Sequence, residues 1–224
     1  MKGNLTLLVT VGTVLIHTSL FSQNLLSNGS FELGNVGFFS GYNYTPASNQ
    51  NPGEYAVVSN PNPWNAGAFS MVDHTSGTGL MLALNGSSLS TDILWRQTVS
   101  VQPNTTYLFS GWAASWGVFG GGNTDPSPAN LRISVEGVQL GDRGLPPEDG
   151  IWQQFTLQWS SGAATQATIE IRDLNTAFLG NDFALDDLSF TAVPEPCGVW
   201  LFALGTISWA VCRRHPNSLR ETSR

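Results

Sequence analysis

Leu131-Arg132-Ile133-Ser134-Val135-Glu136 alternates apolar and polar residues without a break. Successive side chains of a strand point to opposite faces, so this hexapeptide puts Leu131, Ile133 and Val135 in a core and its polar residues in water. The pattern recurs downstream. Phe155, Leu157 and Trp159 alternate with Gln154, Thr156 and Gln158, and Ile169 and Ile171 alternate with Thr168, Glu170 and Arg172. No stretch of the body sustains a helical period. Residues 25–32, 55–59, 80–85, 93–101, 106–116 and 183–191 read as further strands. Turns are signalled at Pro103-Asn104 and over residues 120–128 and 141–150 by Gly, Pro, Asn and Ser. Residues 34–65 read as long loops over strand ends, and residues 117–128 as a flexible loop. Eight or nine short strands so spaced predict an all-β fold, an antiparallel β-sandwich or jelly roll.

The sandwich is expected to occupy residues 23–192, a length that suits one domain with its own core. That body has no cysteine and no lysine, and carries fourteen acidic side chains against four arginines, a formal charge of −10. Phosphate backbones would be repelled, which excludes nucleic acid as a natural partner. Carboxylate-rich surfaces suit hard cations such as calcium, and equally suit a secreted protein kept soluble by its charge. Without disulfides, stability must come from the core.

Both ends of the chain read as addresses. Lys2 precedes an apolar run over residues 5–20, and Ser22 offers a small residue before Gln23, so residues 1–22 form an expected signal peptide. Residues 193–224 run Val193-Pro194-Glu195-Pro196, then an apolar stretch from Cys197 to Cys212, then Arg213-Arg214. As a helix that stretch would be about 24 Å long, just short of a hydrocarbon core, with two arginines holding its end on the cytoplasmic side. Cys197 and Cys212 would lie too far apart on it for a disulfide. This tail resembles the PEP-CTERM sorting signal of Gram-negative bacteria, though ten residues follow Arg214, more than is usual there. The resemblance implies a single C-terminal hydrophobic helix that crosses the inner membrane transiently. It also implies processing by an exosortase at Pro194-Glu195-Pro196 and delivery to the cell surface or extracellular matrix.

The body carries a second resemblance. The opening Leu25-Leu26-Ser27-Asn28-Gly29-Ser30-Phe31-Glu32 and the closing Asn181-Asp182-Phe183-Ala184-Leu185-Asp186-Asp187-Leu188-Ser189-Phe190 are similar to the first and last strands of galactose-binding-like jelly rolls. Gln97-Thr98-Val99-Ser100-Val101 and Tyr107–Ala114 resemble the central hairpin of that superfamily, and Asp73–Gly79 resembles a loop of related adhesive modules. Many carbohydrate-binding modules share the fold. The resemblance implies a structural calcium held by Glu32 and Asp186. Independently, converging terminal carboxylates would repel unless a cation sat between them. Asp186 shares strand parity with Leu188 and Phe190, so it is expected to point partly inward. A buried lone carboxylate is costly unless paired.

Sugar rings present apolar C–H faces that stack on electron-rich aromatic rings, while Asn, Gln and Asp read hydroxyls. Tyr42, Tyr44, Trp64 and Trp116 lie in or beside loops and are the expected exposed rings; Trp112 and Trp159 fall in strand patterns and are expected in the core. His74, the only histidine of the body, reads as a hydrogen-bonding loop residue. No nucleophile elbow, zinc signature or phosphate loop is present. Adjacent strand residues point to opposite faces, so Asp186 and Asp187 are not expected to flank one glycosidic bond. Glu148-Asp149 reads as a solvated turn. The sequence therefore predicts no enzyme but an exported protein that binds extracellular polysaccharide. Two alternatives stay open: a structural matrix or adhesion protein acting by protein–protein contacts, and a sandwich-fold glycan hydrolase.

Overall fold

The computed structural model describes residues 22–49, 51–117 and 124–194. Among the described residues, ten strands form two sheets. The first has the order β1-β2-β3-β10-β5-β8, the second β4-β9-β6-β7. Their ranges are β1 Asn43–Tyr44, β2 Glu54–Val58, β3 Met81–Asn85, β4 Ile93–Ser100 and β5 Thr106–Ser115. The rest are β6 Asn130–Val135, β7 Val138–Gly144, β8 Gln153–Ser160, β9 Gln166–Asp173 and β10 Phe183–Ala192. All pairings are antiparallel except the short β1–β2 contact. Leu131, Ile133 and Val135 are fully buried, as their alternation requires.

The main core lies between the sheets. Trp95 of β4 stacks on Phe109 of β5 at 6.2 Å, and Tyr107 stacks on Phe190 at 5.0 Å. A second apolar cluster covers the outer face of the six-stranded sheet. There the strands present small side chains, Ala56, Ala83, Ala114 and Ala184, and the space above them is filled by Trp64, Trp116 and Met71. Trp64 arrives on a single helical turn, α1 (Pro61–Trp64), with proline at its start and Asn60 Oδ1 accepting the Asn62 N–H at 3.0 Å.

Three expectations about the chain path are corrected. Residues 25–32 do not form a strand, because Asn28 and Phe31 adopt φ of 54° and 57°. The segment instead follows β10 through isolated bonds. Leu25 N–H donates to the Phe190 carbonyl, Leu188 N–H donates to the Gly29 carbonyl, and the Asn24 side chain bonds both Leu188 and Phe190. Within residues 141–150 the chain first completes strand β7, an exposed edge strand containing two glycines. Finally, Asp186 does not share parity with Leu188. A bulge between Asp186 and Ser189, with Asp187 at φ 48°, sends Leu188 inward while Asp186, opposite Trp112, stays on the outer face.

The compact unit ends at Ala192. The expected signal peptide lies outside the described residues apart from Ser22. So do the expected C-terminal helix, Glu195, Pro196, Arg213, Arg214, and residues 118–123 of the expected flexible loop.

Candidate functional site

At one end of the first sheet, strand β3, the α1 segment and the loop before β10 enclose a cavity of about 200 Å³. Its wall includes Asn65, Asn85, Trp116, Phe178, Leu179 and Asp182. Asn49 organises the amides, since Asn65 Nδ2 and Asn85 Nδ2 each donate to Asn49 Oδ1 at 2.7 Å. Asn49 Nδ2 in turn donates to Glu54 Oε2 at 3.0 Å. Trp116 is 1% exposed, and its indole N–H is buried without a hydrogen-bond partner among the described residues. An orphaned buried donor is costly. Phe178 is 80% exposed and Leu179 52%. An aromatic rim, fixed amides and an acidic side chain are the elements that grip a polar ring with apolar faces.

The four expected ligand-binding rings fare differently. Tyr44 is exposed and lies tilted against Tyr55, at 5.3 Å between ring centres. Tyr42, Trp64 and Trp116 are corrected: all three are buried, so none offers a face to solvent. The Tyr42 hydroxyl accepts the Ser87 N–H, and burial pushes its pKa up. Trp64 donates to the Thr45 carbonyl and meets Trp116 edge-on at 6.0 Å. Trp116 reaches the cavity through its wall position, not as an exposed platform. Phe178, missed in the sequence, sits among Asn, Thr, Ala and Gly with no periodicity to mark it.

Glu32 and Asp186 grip opposite ends of one loop. Glu32 Oε1 accepts the Leu80 N–H at 3.0 Å, and Asp186 Oδ2 accepts the His74 N–H at 2.8 Å and the Thr75 N–H at 3.2 Å. Asp186 is fully buried, and burial raises its pKa to about 6. Asp73 holds the loop from within; burial would raise its pKa, but N–H donors from Ser76 and Gly79 outweigh that and keep it low. Carboxylates and one imidazole crowd this loop, and Asp73, Asp186 and Glu32 each accept its backbone N–H groups. No group of three or more acidic or histidine side chains among the described residues is arranged around a metal position.

The bulge also overturns the expectation that Asp186 and Asp187 face apart. Thr75 Oγ1 reaches both, at 3.3 Å and 2.7 Å. Asp187 further pairs with His74 Nδ1 at 2.7 Å, and the imidazole stacks on Trp112 at 3.8 Å. Trp112 is thus on the outer face, where a core position was expected, while Trp159 is buried in the core. Asp186, wholly enclosed, has no path to a substrate. Asp149 is not solvated as expected but buried.

The sandwich is similar in fold to solved structures. The CBM22-1 xylan-binding domain from Paenibacillus barcinonensis Xyn10C superposes with a TM-score of 0.50 at 16% identity, covering 78% of this chain and 97% of that one. The N-terminal CBM22-1–CBM22-2 tandem of the same protein gives 0.50 and 16%, over 78% of this chain and 47% of that one. A Family 16 Carbohydrate Binding Module-2 matches at a TM-score of 0.43 and 18% identity, over 75% and 99%. No protein-family profile and no curated protein matches the sequence.

Proposed function

We propose that this chain is an exported, non-catalytic protein that binds extracellular polysaccharide, holding a sugar ring in the Asn65–Asn85–Trp116–Asp182 cavity. The observation that carries the reading is a cavity walled by Asn65, Asn85, Trp116 and Asp182 and rimmed by the exposed Phe178. The cavity is smaller than the ~300–1,000 Å³ of sites for drug-sized ligands, which favours a single ring or chain end over a long stretch of polymer. The shared fold supports the reading. The test is retention of the full-length chain on insoluble polysaccharides and on the host's exopolysaccharide. Saturable binding should weaken about tenfold in Trp116→Phe, which removes the N–H while keeping an aromatic, and in Phe178→Ala, with melting unchanged in the latter. No retention on any polymer removes the proposal. Concentration-dependent self-association abolished by Phe178→Ala would favour the matrix-protein reading, since Phe178 and Leu179 are adjacent exposed apolar residues.

The PEP-CTERM resemblance supports surface or matrix delivery as part of the same proposal. Replacing Glu195 or Arg213-Arg214 is expected to retain the protein in the inner membrane, and unaltered release would count against sorting. Calcium between Glu32 and Asp186 belongs to it as well, supported by their hold on one loop. A chelator should then lower the melting temperature of wild type more than that of Glu32→Gln, and added calcium should restore it. Equal melting of wild type with and without chelator would remove the ion.

A further inference from the structure

Away from the Glu32–Asp186 loop, four aspartates are buried at the cavity end of the sandwich: Asp125, Asp149, Asp173 and Asp182, each 2–6% exposed. They come from distant parts of the chain. The Thr124–Glu148 bridge and the bond from Asp125 N–H to the Pro147 carbonyl bring the Asp125 loop against the turn that carries Asp149. Asp173 ends β9 and Asp182 immediately precedes β10. Four carboxylates enclosed together need counter-charge.

The protein supplies little. Among the described residues none of the four forms an ion pair, and Arg96, Arg132 and Arg172 are engaged with Glu170 and Asp142 elsewhere. N–H donors meet only part of the need. Asp125 Oδ1 accepts Ser127, Asp173 Oδ1 accepts Asn130 and Asn175, and Asp182 Oδ1 accepts Gly86. Asp125 Oδ2, Asp173 Oδ2 and both oxygens of Asp149 are buried with no hydrogen-bond partner among the described residues. The backbone also yields to the cluster. A Cβ on Gly117 would stand 3.1 Å from Asp125 Oδ2 and 3.3 Å from Asp182 Oδ2, so these two oxygens approach one point from different loops.

We propose that Asp125, Asp149 and Asp182 form a binding site for a hard divalent cation of the calcium class, separate from the Glu32–Asp186 loop. Oxygen-only donors and an excess of negative charge select such an ion over softer metals. The three carboxylates do not yet close around a common centre. Asp149, whose turn is held against Asp125 by the bond to the Pro147 carbonyl, supplies the third carboxylate. The ion neutralises charge that burial otherwise forces onto protons.

The test is calcium binding to chelator-stripped full-length protein near neutral pH, by equilibrium dialysis and titration calorimetry. Asp149→Asn and Asp125→Asn should each bind one calcium fewer per chain than wild type, while Glu32→Gln keeps this site. Both Asn variants should also melt higher than wild type in chelator, because they remove uncompensated charge, and should lose most of the calcium-induced rise. Two variants guard against one failing to fold. Unchanged calcium stoichiometry in both, or no calcium bound by Glu32→Gln, would overturn the proposal and leave protons as the only counter-charge. Asp182 also lines the proposed sugar cavity, so glycan retention is measured on the same variants as a separate readout.

Discussion

In chelator, raising the pH from about 5 to about 9 is expected to lower the melting temperature steadily, with the loss levelling off above about pH 8. The largest contribution comes from Asp182, whose pKa burial lifts from 3.8 to about 8; the Gly86 N–H pulls it down, and the charges of Asp125, Asp173 and Asp149 push it up further. A carboxyl whose folded pKa is raised binds more protons folded than unfolded. Its stability is therefore fully present below its ordinary pKa and is lost as the pH climbs to the folded one. A shift of about four units corresponds to on the order of 5 kcal/mol. Asp149, Asp173 and Asp186, all raised to about 6 chiefly by burial, act in the same direction over the lower part of the window. Asp182→Asn keeps an oxygen for the Gly86 N–H and cannot ionise. It should flatten most of the slope and melt above wild type at pH 9. A flat wild-type profile would mean the four aspartates are not enclosed as described.

The second large effect is expected from Gly29→Ala. A Cβ at Gly29 would collide with the Leu188 carbonyl oxygen, a backbone atom that cannot rotate away. The clash falls beside the bond from Leu188 N–H to the Gly29 carbonyl, at 2.8 Å. Relief requires the opening segment to lift from β10. Overpacking of that kind costs about 3 kcal/mol, which for a domain of this size lowers the melting temperature by roughly 6–12 °C. Melting measured by circular dichroism checks it. A drop below about 2 °C would show that the opening segment is not anchored to β10.

The strands were legible wherever one face is buried, because burial imposes the two-residue period; 131–136 and 154–159 are the clearest cases. Strand β7 hid itself for the same reason. An edge strand with no buried residue, Val138-Gln139-Leu140-Gly141-Asp142-Arg143-Gly144, has no pattern to show. The opening segment reads as a strand, yet two left-handed residues and an Asn24 side chain standing in for ladder groups make it a bonded loop. Loop position misled for the aromatics. The useful signal was in the strands, where Ala56, Ala83, Ala114 and Ala184 leave an outward hollow that only large rings such as Trp64 and Trp116 fill. The bulge at Asp187 defeated strand parity, since one left-handed residue changes which face follows. The four buried aspartates had no sequence signature. They meet only because the strand order brings the ends of distant segments together.

The bonded opening and closing segments have a mechanical consequence. Asn24 and Leu25 are hydrogen-bonded to Leu188 and Phe190, so the chain enters and leaves the sandwich at neighbouring points. Tension applied between those two points loads these few bonds one after another, as a zipper opens, instead of shearing the long β5–β10 ladder all at once. A domain tethered at both ends would give way at low force by peeling its first residues, with the two sheets still packed. Such a joint acts as a mechanical fuse, yielding reversibly before the core is strained.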